Sequence, residues 1–249
     1  MQAMIFSAGL GTRFKPWTEK HPKALALVNG KSLLQRNIEY LQQYGITDVV
    51  VNVHHFADQL IEAIIKNKGW GSRISISDER DELLDTGGGL QKAKEFFTPG
   101  QRFITCNADI LTDLDLNKLI AFHEEKKALI TFGVTQRKTS RYLLFDENDR
   151  LCGWRNIKTG EERGPRLTSP KGGGTSTPLI EKAYSCVVVF GYDIFKLVEE
   201  KKFGGKFSLI DVYLALASGH LIMGYDHTGD RFVDVGKPES IAIAESNFP

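Results

Sequence analysis

Strand and helix patterns alternate through the first half of this chain, and that alternation limits its fold more than any other feature. Asp48 to Val53 is a β-branched run entered after Gly45; Phe56 to Lys66 reads as a helix with Leu60, Ile61, Ile64 and Ile65 on one side; Ile74 and Ile76 alternate as a short strand. Leu90 to Phe97 reads as a helix after a glycine loop, and Arg102 to Cys106 as a strand. Right-handed crossovers between such strands predict an α/β fold, with a mainly parallel sheet and helices on both faces. Ligands of such sheets sit beyond the carboxyl ends of the strands. The chain has 249 residues and no composition shift, so a single domain over residues 1–249 accounts for it.

The strongest chemical signal falls at that edge. Met4-Ile5-Phe6-Ser7-Ala8 reads as a buried strand that breaks into Gly9-Leu10-Gly11-Thr12-Arg13, with Pro16, Pro22 and Lys23 behind it. Gly9 and Gly11 let backbone N–H groups approach a ligand without a Cβ in the way, which makes the turn a phosphate cradle. Arg13 adds a forked positive charge and Lys23 a compact one, a combination that points to a nucleoside triphosphate. Two commoner phosphate motifs are excluded. A dinucleotide fingerprint needs a third glycine where Phe14 stands, and a Walker A needs one where Leu25 stands. Gly30-Lys31-Ser32 reads instead as a turn followed by Ser32 capping a helix, whose apolar face is Leu33, Leu34, Ile38 and Leu41.

The second half differs in character. Tyr142 to Phe145 and Leu151 to Trp154 flank a polar loop as a β-hairpin. Lys158 to Pro178 lacks periodicity and is rich in Gly, Pro, Ser and Thr; it reads as a loop, either a solvated excursion or a lid whose Arg163 and Arg166 close over an acidic sugar. An apolar strand follows at Cys186 to Phe190, then a short helix from about Ile194, a helix capped by Ser208, and a last helix opened by Pro238.

Composition excludes several classes. With 32 basic and 31 acidic residues the formal charge is +1, which argues against a nucleic-acid surface. Cys106, Cys152 and Cys186 have no metal-ligand spacing and read as buried thiols of a reducing cytoplasm. No segment reaches the roughly 18 apolar residues of a membrane span, and the N-terminus starts a strand instead of a signal peptide, so a cytoplasmic protein is expected. His54-His55 has no third ligand at useful spacing and reads as the polar end of a strand.

Gly9-Leu10-Gly11-Thr12-Arg13-Phe14-Lys15-Pro16-Trp17-Thr18 followed by Pro22-Lys23 resembles the signature G-x-G-T-R-x-x-P-x-T, then P-K, of the sugar-1-phosphate nucleotidyltransferases. Asp85-Thr86-Gly87-Gly88-Gly89, Asn107-Ala108-Asp109 and Phe232-Val233-Asp234-Val235-Gly236 match later parts of the same pattern. The resemblance implies a Rossmann-like, mainly parallel mixed sheet flanked by helices, the nucleotide-diphospho-sugar transferase fold, which is GT-A-like. It also implies a nucleotide-binding half over residues 1–135 and a sugar-phosphate-binding half over 136–249.

The implied reaction joins an NTP to a sugar 1-phosphate, so repulsion between anions is the obstacle; positioning and positive charge matter more than a protein nucleophile. The resemblance makes Asp109 and Asp234 ligands of Mg2+, a hard cation that suits carboxylates and water. Arg13 would hold the β- and γ-phosphates, and Lys23 would neutralise charge near the α-phosphate. Ala8, Gly9, Leu10, Gly11 and Thr12 would contact nucleotide, Thr86, Gly87 and Gly88 would lie close to base or ribose, and Asn107 would share that pocket or cap a turn. Ala108 stands where the family usually has glycine, which matters only if the backbone needs a positive φ there. Glu181-Lys182 resembles a Glu-Lys-Pro motif of the family, but Ala183 replaces the proline and a structural role is expected.

Within the family the motifs look most like those of the N-acetylmuramate 1-phosphate uridylyltransferases, which implies UTP. Mannose 1-phosphate guanylyltransferases and glucose 1-phosphate thymidylyltransferases share the core motifs. A non-catalytic nucleotide-sugar sensor is the alternative of another class; such proteins typically lose the phosphate-binding basic residues or the metal acids, and this chain keeps Arg13, Lys23, Asp109 and Asp234. The expected state is a monomer or homodimer, without nucleic-acid or membrane partners.

Overall fold

The computed structural model describes residues 1–166 and 178–249. Strand β1, Gln2–Phe6, is the centre of the first half. Consecutive side chains of β1 enter opposite cores: Ala3 and Ile5 pack on one side of the sheet and Met4 on the other. A strand buried on both faces has to be apolar without interruption, which is why Met4-Ile5-Phe6 shows no alternation. The strand ends at Phe6, so Ser7 and Ala8 belong to the turn and not, as expected, to the strand.

A two-stranded hairpin, β2 (Leu27–Val28) and β3 (Lys31–Ser32), turns through Asn29 and Gly30, both with positive φ. Ser32 then caps α1, Leu33–Gln42, by accepting the Gln35 amide at 3.1 Å. Strand β4 runs Asp48–Val53 and α2 Ala57–Lys66. Leu60 and Ile64 of α2 are buried, but Ile65 is 70% exposed, so the apolar stripe is narrower than expected. β5 (Arg73–Asp78), α3 (Asp85–Lys92), β6 (Phe103–Asn107), β7 (Ile110–Thr112), α4 (Leu116–Lys126) and β8 (Ile130–Thr135) complete this half. The largest departure lies at α3: Asp85 to Gly89, expected as a loop, forms the first turns of that helix.

The second half contains β9 (Arg141–Phe145), β10 (Leu151–Asn156), β11 (Glu161–Arg163), β12 (Ile180–Phe190), α5 (Ile194–Glu200), α6 (Leu209–Leu216), β13 (Ile222–Asp226), β14 (Phe232–Asp234) and α7 (Ser240–Asn247). The expected hairpin is β9–β10, and Ser208 caps α6 by accepting the Ile210 amide. Pro238 precedes α7 by two residues instead of opening its first turn.

Among the described residues the main sheet has ten strands, in the order β11-β10-β9-β12-β6-β1-β4-β5, with β8 attached to β12 and β13 to β8. β1 is parallel to β4 and β6, and β4 is parallel to β5; β12 runs antiparallel to β6, β8 and β9. The parallel order of the first half therefore gives way to an antiparallel second half across one long strand. α1, α2 and α4 cover one face through Leu34, Ile38, Leu41, Leu60, Leu116 and Leu119; α5 and α6 cover the other, where Phe103, Phe190, Phe195 and Tyr213 pack together.

The loop read over Lys158 to Pro178 is described only in part; Lys171 and the triple glycine at 172–174 lie outside the described residues. Arg163 is not a free lid charge. It pairs with Asp211 at 2.6 Å and stacks over the Trp154 ring at 4.4 Å. Trp154 itself is buried in the core.

Candidate active site

The carboxyl ends of β1, β4 and β6 border a cavity of about 410 Å³. Its floor is the turn after β1. Gly11 sits in the left-handed region with φ 60°, and a Cβ there would come within 2.8 Å of the Thr18 methyl, so both conformation and space demand glycine. The Gly11 carbonyl accepts the Phe14 amide at 2.8 Å and the Thr18 hydroxyl at 2.9 Å, which ties the turn to the downstream loop. At the other end, the Ser7 amide donates to Asn52 Oδ1 at 2.7 Å and the Ser7 hydroxyl donates to the Asn52 carbonyl.

Of the sequence-derived site residues, Ala8, Gly9, Gly11, Thr12, Arg13, Lys23, Thr86, Asn107 and Asp109 line this cavity. Leu10 is not in its wall; its side chain is 42% exposed. Gly87 and Gly88 are also outside the wall. Their amides donate to the Phe207 carbonyl at 2.9 and 3.2 Å, and a Cβ on either would collide, with Phe207 at Gly87 and with the Gly205 carbonyl at Gly88. The third glycine of the run makes room for a carboxylate, since a Cβ on Gly89 would come within 2.6 Å of Glu79 Oε1. The triple glycine thus serves close packing of α3, which is why it is helical despite its poor propensity.

Asp109 and Asp234 meet through the β7–β14 ladder. Asp234 pairs with Ile110, and the Val235 amide donates to the Asp109 carbonyl at 2.8 Å. Lys23 Nζ donates to Asp109 Oδ2 at 2.5 Å. Asp234 is not in the cavity wall itself and is exposed, yet desolvation by the protein around it first, and the Asp109 carboxylate second, raise its pKa above the usual range, against Lys23, Arg13 and Arg137. Gly236 closes the group. A Cβ there would lie 2.7 Å from Asp234 Oδ1 and 3.3 Å from Arg13 Nη2, so glycine lets guanidinium and carboxylate share one corner. Ala108, in place of the usual glycine, does not have a positive φ and fits without strain.

A carboxylate disfavoured by desolvation and by a neighbouring carboxylate, as Asp234 is, is what a divalent cation relieves. Among the described residues no three His, Cys, Asp or Glu side chains converge to hold a metal unaided. Two carboxylates completed by water and phosphate oxygens is the Mg2+ pattern, so the residues present fit that ion.

Sequence reasoning missed three residues. Glu79 is fully buried in the cavity wall, and its Oε1 accepts Asn52 Nδ2 at 2.8 Å; burial raises its pKa. Asn52 links it to the phosphate turn through Ser7. Lys206, on the segment between α5 and α6, also reaches the cavity. Lys182, by contrast, is structural as expected: it pairs with Asp149 at 2.8 Å and Asp226 at 3.0 Å, and is nearly buried. No helix among the described residues is long and apolar enough to cross a membrane.

A glycine turn, two cations and an acid pair thus lie together at the carboxyl edge of an α/β sheet, the arrangement of the nucleotidyl transferase class. Residues 2–147 match the nucleotidyl transferase family, and the chain belongs to it. One relative, the N-acetylmuramate α-1-phosphate uridylyltransferase of Caulobacter vibrioides, is 45% identical over 105 residues, covering 41% of this chain and 43% of that protein. The UTP–glucose-1-phosphate uridylyltransferase of a Synechocystis strain is 32% identical over 177 residues, covering 65% of this chain and 45% of that protein. The matches thus span under half the length of these relatives. The crystal structure of HddC from Yersinia pseudotuberculosis complexed with GMP-PN has the same fold, with a TM-score of 0.75 at 22% identity over 100% of this chain and 99% of that one.

Proposed function

We propose that the chain transfers a uridylyl group from UTP to a sugar 1-phosphate, with N-acetylmuramate 1-phosphate as the preferred acceptor. An oxygen of the sugar phosphate attacks the α-phosphorus, the bond from that phosphorus to the bridging oxygen breaks, and pyrophosphate leaves with the electron pair. The observation that carries this reading is the convergence of Gly11, Arg13, Lys23 and Asp109 in one cavity wall, with Asp234 held beside Asp109 by the β7–β14 ladder. UTP is supported by three uridylyltransferases among the relatives, and N-acetylmuramate by the match at 45% identity.

In this reading Arg13 grips the leaving β- and γ-phosphates, a task for a forked donor. Lys23, already ion-paired with Asp109, offsets charge where the two substrates meet. Ala8, Gly9, Leu10, Gly11 and Thr12 contact the triphosphate through the backbone. Thr86 and Asn107 border the nucleoside, and Gly87 and Gly88 serve it indirectly by seating α3. Asp109 and Asp234 would hold Mg2+, which when bound offsets negative charge on the phosphates and orients them. Residues 1–135 supply most of the nucleotide site and 136–249 the sugar side.

The test is a matrix of UTP, GTP, CTP and dTTP against N-acetylmuramate, glucose and mannose 1-phosphates, read by pyrophosphate release with Mg2+. Fastest turnover with UTP and N-acetylmuramate 1-phosphate is expected. Preference for GTP and mannose 1-phosphate would overturn the substrate assignment, and no release with any pair would overturn the reaction.

A further inference from the structure

Lys206 comes from the second half, yet it lines the same cavity as the glycine turn, together with Asp85 and Thr86 of α3. Three backbone hydrogen bonds and one to a side-chain hydroxyl fix its segment to the start of α3. The Phe207 carbonyl accepts from Gly87 and Gly88, the Phe207 amide donates to the Leu84 carbonyl at 3.1 Å, and the Leu209 amide donates to Thr86 Oγ1 at 3.1 Å. Glycines at 87 and 88 are what allow that approach, and the tilted packing of Phe203 against Phe207 stiffens the segment from within. An exposed lysine held in place by this much local structure is a placed charge, not a solubilising one.

The other two cavity cations lie by the acid pair. Lys23 is bonded to Asp109, and the Arg13 guanidinium lies against Gly236 beside Asp234. Lys206 has no ion-pair partner among the described residues. A cation fixed in a substrate cavity without a protein anion is complementary to an anion on the ligand.

We propose that Lys206 is a specificity-determining residue that binds an anionic group of the second substrate, not of the triphosphate. This rests on the nucleotidyl-transfer reading and assigns the second half its contribution to the site. Two groups share the required chemistry: the 1-phosphate that every acceptor carries, and a carboxylate on an acidic sugar.

Steady-state kinetics on the wild type, Lys206→Met and Lys206→Arg distinguishes them, using N-acetylmuramate 1-phosphate and N-acetylglucosamine 1-phosphate, which differ by a lactyl carboxylate. In Lys206→Met the acceptor KM should rise by about tenfold or more, the scale of one lost charge-assisted hydrogen bond, with KM for UTP unchanged. Lys206→Arg should restore most of that loss. A rise for both acceptors assigns the 1-phosphate, and a rise for the acidic one alone assigns the carboxylate. Unchanged KM for both acceptors, or a rise confined to UTP, overturns the proposal. If the wild type shows no turnover, the transfer reading fails by itself. Calorimetric titration of the same acceptors, with Mg2+ and a non-hydrolysable UTP analogue, then reads Lys206 directly, and equal affinity in wild type and Lys206→Met overturns its role.

Discussion

The backbone amide of Val235 is bonded to the carbonyl of Asp109 at 2.8 Å. Residues 126 positions apart in sequence are thereby locked side by side, and the Asp109 carboxylate acts electrostatically on that of Asp234. Such preorganisation is where an enzyme of this class gains rate, because the charges need no rearrangement when the transition state forms.

Turnover should therefore depend on both acids. Asp109→Asn and Asp234→Asn are each expected to lower kcat by at least about 100-fold, the scale of one lost transition-state electrostatic group, with unchanged circular dichroism. Chelation of divalent metal should have the same effect and be reversed by Mg2+. Near-normal kcat in either folded variant would remove that residue from the metal site.

Arg13→Ala separates distal from proximal phosphates. Affinity for UTP should fall by roughly tenfold or more while affinity for UMP changes little, since only the former reaches a forked donor at the Gly236 corner. Calorimetric titration of both nucleotides checks this, and equal losses would place Arg13 elsewhere.

Gly88→Ala tests the packing role of the triple glycine. In an exposed helix this change stabilises by about 1 kcal/mol. Here the added methyl meets the Gly205 carbonyl, and overpacking should destabilise by about 1–3 kcal/mol in urea denaturation. A stabilised variant would show that the segment before α6 yields freely.

His123 should set an acid limit on stability. It is buried on α4, bonded to Thr131 Oγ1 at 2.9 Å, and burial, aided by Arg102, pulls its pKa down to about 4. The unfolded imidazole titrates near its ordinary value of 6.5, so between the two values the unfolded chain binds more protons and stability falls as pH falls. From about pH 6.5 to about pH 5 this residue alone should remove roughly 2 kcal/mol. Denaturation midpoints of wild type and His123→Gln, compared at both pH values, check it. Parallel slopes would refute the assignment.

Local chemistry made much of this legible beforehand. Ser32 capping α1, the bounds of β4, the β9–β10 hairpin and the turn at Gly9 to Lys23 each depend on neighbours in sequence. Asp85 to Gly89 misleads because glycines cost about 1 kcal/mol each in a helix, and only the distant Phe207, Gly205 and Glu79 offset that. Glu79 sits within Asp78-Glu79-Arg80-Asp81-Glu82, which reads as a solvated run; its burial comes from Asn52 on the neighbouring strand. Lys206 follows Lys201, Lys202 and two glycines, and nothing local separates it from an ordinary basic loop.

The long strand β12 bonds to β6 through Val187–Phe190 and to β9 through Ile180–Lys182. A chain cut before Ile180 would leave β6 with an apolar, unpaired edge at the centre of the molecule. Such an edge recruits other chains, so the first half released from the second should aggregate instead of binding nucleotide as a free module. Whatever ancestry the two halves have, their solubility is now shared.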